Sequence, residues 1–392
     1  MKKYLLAFIL SSAFTAIYAQ DYDALNSYMQ KYSSTWARNG ETADQIGMPM
    51  PEYKFDKKLN SKALKGKTVV LTFWATWCGG CRLLCVDLDS VMLRHSNDYG
   101  NVQIIGVDSN EKLVDKGYVS SEFWKEKGIG FPTTAPGKAA DDCEKSINAG
   151  HPSTVIIDSD GIIRGRWDAW TPGTAGDIAL AAWVMDVAPR LGVKADLPTV
   201  RRYMDAKQYD RALYLLEQLP DDTLTSQMRF EALLNLDGRR AHEYFEDFRK
   251  KYAPEPVSEW QTPKYTPAYL DMMRFVRDRI YEGGTTDRTL LNDGCQAART
   301  LMNTFGKRTV TDYRRLGELT CRYGNAIKRG GVSWMEDAMR RAQEDKADPK
   351  EIAELKELIE QYKKEDEPLS SSHLRMLQDK KEQEEHMKRV RN

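Results

Sequence analysis

The sequence has no excess of charge of either sign, since its 58 Lys and Arg residues balance 58 Asp and Glu residues. It also has no block of basic residues, so the electrostatic surface that binds nucleic acid is absent. After the N-terminus it has no apolar stretch long enough to cross a bilayer. With 30% of its residues charged, the chain is predicted to be soluble and to expose much helix.

The N-terminus has the three-part layout of a secretory signal peptide. Lys2 and Lys3 give a positive start, an uncharged apolar stretch covers residues 4–18, and Ala19 is the small residue at the cut. The apolar stretch is shorter than the roughly 18–20 residues that span a bilayer, which favours cleavage over a retained anchor. No cysteine stands at the cut, so a lipid-modified N-terminus is not indicated. We therefore predict a cleaved signal peptide over residues 1–19 and an exported, periplasmic protein.

The mature chain is long enough for two domains, and its composition changes near residue 193. Residues 20–46 are predicted to be an N-terminal helical segment, with an amphipathic helix over residues 21–40. The two prolines of residues 47–51 bar a helix and mark a linker. Residues 47–193 alternate between strands and helices, which is typical of an α/β sandwich.

Four strands are predicted within this α/β domain. Residues 68–74 are a continuous β-branched and aromatic run, as expected of a buried central strand, and residues 102–107 form a second such run. Residues 153–158 and 162–167 flank Asp160-Gly161, a pair that favours the turn of a β-hairpin. The predicted helices cover residues 121–127 and 175–191.

Beyond residue 193 the sequence shows only helix-period segments. We predict a helical domain over residues 194–362 and a charged tail over residues 363–392. Residues 203–219 resemble the turn and second helix of a tetratricopeptide repeat (TPR), in which a small residue lets two helices approach, and residues 329–342 are a fainter match. The predicted architecture is an α/β domain followed by an all-α, TPR-like domain.

Reactive chemistry is predicted where the first strand ends, at Trp77-Cys78-Gly79-Gly80-Cys81. An amphipathic helix follows, which places Cys78 at a helix N-terminus. Its apolar side chains are Leu83, Leu84, Leu88 and Met92. The unpaired N–H groups and the helix dipole there stabilise a thiolate and lower its pKa. Cys81 lies about one turn further, so we expect Cys78 to be the nucleophile and Cys81 the resolving thiol.

The segment from Trp74 to Cys81 resembles the active-site signature of the TlpA/ResA branch of bacterial thioredoxin-like proteins. The preceding residues 64–67 and the downstream residues 150–158 also match, and the resemblance extends over about residues 45–192. It implies a thioredoxin-like sandwich, with a mixed central sheet flanked by helices. It also implies that Pro152 is a cis-proline packed against the disulfide, where neighbouring backbone binds the substrate chain.

The sequence departs from this family at the proton acceptor for the resolving thiol. The buried carboxylate of thioredoxin is replaced by Thr72, and the glutamate of ResA-like proteins is replaced by Leu84. His151 is a candidate substitute, since an imidazole can stabilise a thiolate or move protons near neutral pH. The alternative is that His151 only shapes the substrate groove. The predicted groove residues are Trp77, Gly79, Gly80, His151 and Pro152.

The remaining cysteines allow other interpretations. A zinc site needs four ligands, and no well-spaced fourth ligand follows Cys85, so no metal and no cofactor are predicted. Cys85 is expected to be a small buried residue, with a regulatory disulfide to Cys81 or Cys143 as the alternative. Cys295 and Cys321 fall in two predicted helices, and their spacing leaves open whether they form a structural bridge.

The predicted function is that of a periplasmic thiol–disulfide oxidoreductase that reduces disulfides of exported proteins through Cys78 and Cys81. The resemblance implies a disulfide-containing client protein and a membrane electron donor of the DsbD type. Two alternatives stay open. One is the same chemistry run as an oxidase or isomerase, and the other is a partner-binding adaptor that relies on the helical domain. Neither a nucleic-acid partner nor stable membrane insertion is predicted.

Overall fold

The computed structural model describes residues 22–94, 98–111, 120–254, 264–304, 308–324 and 328–364. The chain divides into two compact units, Met1–Gln218 and Leu219–Asn392. The predicted signal peptide and nearly all of the predicted tail lie outside the described residues. The predicted domain boundary after residue 193 stays a prediction, and the first unit extends beyond it by two helices.

The first unit is an α/β sandwich, as predicted. Its strands are β1 (Thr68–Trp74), β2 (Val102–Asp108), β3 (Ser153–Ile157) and β4 (Ile163–Trp167). Its described helices are α1 (22–32), α2 (Gly79–Asp89), α3 (Ser120–Lys127), α4 (Lys138–Ser146), α5 (Thr174–Ala182), α6 (Leu197–Asp205) and α7 (Tyr209–Leu216). π-Helical turns extend α2 over Ser90–Arg94 and α5 over Trp183–Val187. The four predicted strands are confirmed to within one residue at each end.

The sheet has the strand order β2-β1-β3-β4, with β2 parallel to β1 and the other neighbours antiparallel. All seven residues of the central strand β1 are buried, because helices cover both faces of the sheet. Helix α4 contributes to the core on one face, and α2 packs against α5. In the predicted apolar face of α2, Leu84, Leu88 and Met92 are buried, whereas Leu83 is 49% exposed.

The N-terminal helix is shorter than the predicted span of residues 21–40, because it ends at residue 32. The next residues pair with the edge strand β4 instead. The Ala37 N–H donates to the Arg166 carbonyl at 3.0 Å, and the Trp36 ring packs edge-on against Trp167, with 5.0 Å between centroids. Backbone pairing with an open sheet edge therefore outweighs continued helix formation here.

The last two helices of the first unit pack with its N-terminal helix and with the α/β core. Tyr214 of α7 contacts Tyr28 of α1, with 5.6 Å between ring centroids. Arg211 donates to the Asp98 carboxylate at 3.1 Å, and its guanidinium lies 5.2 Å from the Trp183 ring. These contacts explain why the first unit extends past the predicted domain boundary.

The second unit is helical in all its described elements. These are α8 (Thr223–Leu236), α9 (Gly238–Tyr252), α10 (Pro267–Glu282), α11 (Arg288–Thr304), α12 (Val310–Tyr323), α13 (Lys328–Glu344) and α14 (Pro349–Lys364). Helices α12 and α13 approach closely because glycines face the partner helix: a Cβ on Gly331 would lie 2.6 Å from Cys321 Sγ. The TPR-like assignment stays a prediction. Within the described part of the chain, no helix has the length and apolar character needed to span a bilayer.

Candidate redox site

The chain turns from β1 into α2 at the predicted cysteine pair. Cys78 is the N-cap residue of α2, with extended backbone, and its Sγ accepts a hydrogen bond from the Cys81 N–H at 3.2 Å. Cys78 and Cys81 are joined by a disulfide. Cys78 is 7% exposed and Cys81 is 1% exposed, so an incoming sulfur reaches Cys78 more readily. The helix N-terminus favours negative charge on Cys78 once the pair is reduced.

Pro152 lies beside this turn, and the His151–Pro152 peptide bond is cis, as the resemblance implies. A Cβ on Gly80 would lie 3.8 Å from Pro152 Cδ and 3.7 Å from Trp170 Cβ. A Cβ on Gly79 would meet no atom within 4 Å. The two spacer glycines therefore differ, since Gly80 faces Pro152 and Gly79 faces open space.

His151 lies next to the pair with its side chain only 6% exposed. Its Nε2 is 3.1 Å from Ser109 Oγ, and its ring centroid is 5.2 Å from that of Trp77. Its Nδ1 is 3.9 Å from Glu144 Oε1, which is beyond hydrogen-bond distance. The structure thus brings together all the predicted site residues, with His151 held by neighbours on two sides.

The segment that follows β2 forms a second wall of the site, which the sequence reasoning missed. The Glu111 carboxylate accepts from the Thr76 N–H at 2.6 Å and from the Thr76 hydroxyl at 2.8 Å. The Trp77 indole N–H donates to the Asn110 carbonyl at 3.0 Å. Because β2 runs parallel to β1, the segments after both strands emerge at the same sheet edge. This property of parallel neighbouring strands is the sequence signal that could have identified Asn110 and Glu111 as site residues.

Neither expected proton-acceptor position holds a titratable side chain. Thr72 is buried and accepts a hydrogen bond from the Thr154 hydroxyl at 3.0 Å, and Leu84 is buried without exposure. A buried carboxylate stands instead at Asp108, the last residue of β2 and fully buried. Side chains alternate along β2, so Asp108 lies on the sheet face opposite to Val107, which packs in the α4-side core.

The Asp108 carboxylate acts on the thiol one turn beyond Cys81. Burial first, and the Asp108 charge second, raise the pKa of the Cys85 thiol above its ordinary value. Cys85 is therefore a protonated thiol at neutral pH.

The four cysteines outside the redox pair are buried and form no disulfide, so neither the regulatory nor the structural bridge considered from the sequence is present. Burial raises the pKa of Cys143 to about 12 and also raises the pKa of Cys295. Buried thiols of high pKa are poor nucleophiles, so thiolate reactivity concentrates in Cys78 and Cys81.

Arg166 anchors the loop that enters Pro152. It is 1% exposed, and it donates to the carbonyl oxygens of Ile147 at 2.6 Å and Asn148 at 2.9 Å. Its Nε donates to Asp168 Oδ1 at 2.8 Å, and that oxygen also accepts from the Ser153 hydroxyl at 2.8 Å. The residues on both sides of Pro152 are thus tied to one buried guanidinium.

Comparison with known proteins bears on this part of the chain. The sequence profile of the Redoxin family matches residues 45–167. The thiol-disulfide oxidoreductase ResA of Bacillus thuringiensis (strain Al Hakam) is 30% identical over 125 residues, which are 30% of this chain and 66% of that protein. The thiol:disulfide interchange protein DsbE of Escherichia coli (strain K12) is 26% identical over 171 residues, which are 39% of this chain and 81% of that protein.

Among solved structures, a thiol:disulfide interchange protein of the thioredoxin family from Chlorobium tepidum TLS is 22% identical, with a TM-score of 0.28. The match covers 38% of this chain and 99% of that one. The match to ResA spans just under two thirds of the length of that relative. The Redoxin match falls on the part of the chain that holds the cysteine pair, Pro152 and the four-stranded sheet. Residues 45–167 are thus a redoxin domain, similar in sequence to the thiol–disulfide oxidoreductases ResA and DsbE.

Proposed function

We propose that the protein is a periplasmic reductase of disulfides in exported proteins, with Cys78 and Cys81 as its redox pair. The observation that carries this proposal is the placement of the pair: a disulfide at the N-terminus of α2, beside Pro152, with Cys78 the more exposed sulfur. Trp77, Gly79 and the surroundings of Pro152 leave an accessible surface on which a client chain can lie against Cys78.

In the first step, the Cys78 thiolate attacks one sulfur of the client disulfide. A bond forms between Cys78 Sγ and that sulfur, the client S–S bond breaks, and the client's second sulfur leaves as a thiolate that takes a proton from water. The helix N-terminus stabilises the attacking thiolate before the step. The mixed disulfide is the half-way point of the two-electron transfer, since the Cys78 sulfur has been oxidised and one client sulfur reduced.

In the second step, Cys81 loses its proton and attacks Cys78 Sγ, which releases the client as a dithiol. The protein is left with the Cys78–Cys81 disulfide, the form that the structure has. We propose two candidate acceptors for the Cys81 proton: the His151 imidazole beside Pro152, and the buried Asp108 carboxylate at the end of β2. Asp108→Asn and His151→Gln distinguish them, because the variant that lacks the acceptor accumulates the mixed disulfide.

The cycle needs a partner that returns two electrons to the pair. A membrane thiol donor of the DsbD type would do so, and a signal peptide over residues 1–19 would deliver the protein to the compartment where oxidised clients occur. The relatives support the thiol–disulfide chemistry, since the names of ResA and DsbE describe thiol–disulfide oxidoreduction and interchange. Donor, compartment and direction are our proposal.

The experiment is reduction of insulin by the full-length protein, with dithiothreitol as electron donor and precipitation of the insulin B chain as the signal. Wild-type protein should accelerate the reaction and Cys78→Ser should not. Cys81→Ser should instead trap a mixed disulfide with insulin, visible as a band that a reductant removes. The matched control is Cys85→Ser on the same helix, which should keep wild-type activity. Equal activity of wild-type protein and Cys78→Ser would contradict the proposal.

A further inference from the structure

The helical unit holds a cluster of metal-ligand side chains that the redox chemistry does not use. His242 and Glu246 stand four residues apart on α9, so both side chains project from one face of that helix. Asp293 belongs to α11, which packs against α9. Ligands at positions i and i+4 of one helix, with a third from a neighbouring element, are a common way to build a zinc site.

The three side chains already converge. His242 Nδ1 lies 3.0 Å from Asp293 Oδ1 and 2.9 Å from Asp293 Oδ2. One ligand atom each of His242, Glu246 and Asp293 can be chosen so that all lie within 4.8 Å of one another. The Asp293 side chain has no solvent exposure, whereas that of His242 is 30% exposed. The Asp293 carboxylate thus lies at the buried end of the cluster, and the cluster is open on the side of His242, where an ion can enter.

The spacing fits a tetrahedral ion with small adjustments. Zn–N and Zn–O bonds of about 2.0–2.2 Å at a tetrahedral angle separate two ligand atoms by about 3.3 Å. The His242–Asp293 pair, now at 2.9 Å, would open by about 0.4 Å. Glu246 would close by at most about 1.5 Å, a distance that a change of its side-chain torsions can supply.

The charges around the cluster are also suited to a cation. Two carboxylates and one imidazole face the shared space, and Arg249 donates to Glu246 Oε1 at 2.6 Å. That bond leaves Glu246 Oε2 as a ligand atom. A carboxylate that binds a metal is usually held by a second hydrogen bond of this kind. Arg249 would therefore orient Glu246 rather than occupy the site.

We propose that His242, Glu246 and Asp293 bind one divalent transition-metal ion of the zinc type. Three protein ligands and one water complete four-coordination, and imidazole with carboxylates suits Zn²⁺ among the common ions. The ion connects α9 to α11, and it stabilises the helical unit because it binds the folded chain and not the unfolded one. This site is independent of the proposed reductase function.

The test is isothermal titration of the full-length protein with zinc chloride. The redox pair is kept as the disulfide, so that Cys78 and Cys81 cannot bind the ion. We expect one equivalent of zinc to bind and the melting temperature to rise with it. His242→Ala and Glu246→Gln should each weaken binding at least about tenfold. Glu246 is part exposed, so its substitution leaves the fold intact even if a change at Asp293 does not.

The matched control is Glu243→Gln, which changes an exposed carboxylate next to His242 that pairs with Arg239 at 3.7 Å. It should bind zinc as the wild type does. The proposal is overturned if the oxidised protein shows no saturable zinc binding. It is also overturned if zinc binds equally to wild type, His242→Ala and Glu246→Gln, in which case His242 and Asp293 are an interhelical hydrogen bond only.

Discussion

Replacing Arg166 by methionine should destabilise the first unit more than any comparable change on the sheet. Arg166→Met keeps the length of the side chain but removes four hydrogen bonds, to the carbonyl oxygens of Ile147 and Asn148 and to the side chains of Gln45 and Asp168. The donor is 1% exposed, so water cannot replace it without opening the fold. The loop that leads into the redox site loses its anchor.

The expected loss in the free energy of unfolding follows from the polar groups that Arg166→Met leaves without their donor. Removing one partner of a buried ion pair costs about 3–5 kcal/mol, because the other charge stays buried. Asp168 is 30% exposed and keeps its bond from Ser153, which places the cost at the lower end. We therefore expect a loss of about 3 kcal/mol in the free energy of unfolding, or a melting temperature lowered by about 10 °C for a unit of this size.

The assay is thermal and urea-induced unfolding followed by tryptophan fluorescence, with insulin reduction measured in parallel at 25 °C. Lys138→Met is the control in helix α4 of the same unit, since Lys138 is 86% exposed and its partner Asp142 is 54% exposed. An exposed pair of this kind contributes about 1 kcal/mol or less. If the two variants lose equal stability, the buried Arg166 network does not hold the loop as we argue.

Three further predictions concern other parts of the chain. Burial raises the pKa of Asp221, but hydrogen bonds from Tyr252 and its neighbours lower it to about 2, below the unfolded value. Asp221→Asn should therefore lower the free energy of unfolding by about 1 kcal/mol at pH 7. Urea titrations should show this loss disappear as the pH falls from 4 to 2. Gly106→Ala places a Cβ 2.7 Å from the Trp124 ring and should lower the free energy of unfolding by about 2 kcal/mol. Glu111→Ala removes two charge-assisted hydrogen bonds to the loop before the redox pair, so insulin reduction should slow at least about tenfold.

Each of these three predictions has a control variant, which separates the proposed cause from a general loss of stability or activity. Asn235→Ala, on helix α8, removes no titratable group and should leave the stability difference between pH 4 and pH 2 as in the wild type. Gly100→Ala should be nearly neutral, since a Cβ there meets no atom within 4 Å. Asp141→Asn removes a carboxylate that binds the same segment at the Asn110 N–H, 2.9 Å away, without touching Thr76. Equal effects at test and control positions would contradict the corresponding explanation.

The sequence predicts most of the first unit because its signals are local. A continuous β-branched run marks β1, an Asp-Gly pair marks the β3–β4 turn, and two cysteines after a strand mark the start of α2. The N-terminal helix is shorter than its amphipathic pattern predicts, because the pairing of Ala37 with β4 depends on a strand more than 120 residues away in the chain. Amphipathicity alone cannot report a tertiary competitor of that kind.

The second wall of the site was missed for a similar physical reason. The bonds from Thr76 to Glu111 join residues 35 positions apart, and they exist only because β2 is parallel to β1. The buried Arg166 was also missed, since arginine is a common surface residue and only the fold shows that carbonyl oxygens surround it. Residues that carry chemistry could be recognised from their types, whereas residues that hold them in place required the structure.

We propose above all that Cys78 and Cys81 form a reversible redox pair that donates electrons. The most direct measurement is the reduction potential of this pair, obtained by equilibrating the full-length protein with glutathione buffers of known composition. We predict a value near that of thioredoxin, about −270 mV, which marks a reductant that needs an electron donor. A value near about −120 mV would mark an oxidant and contradict the proposed direction of electron flow.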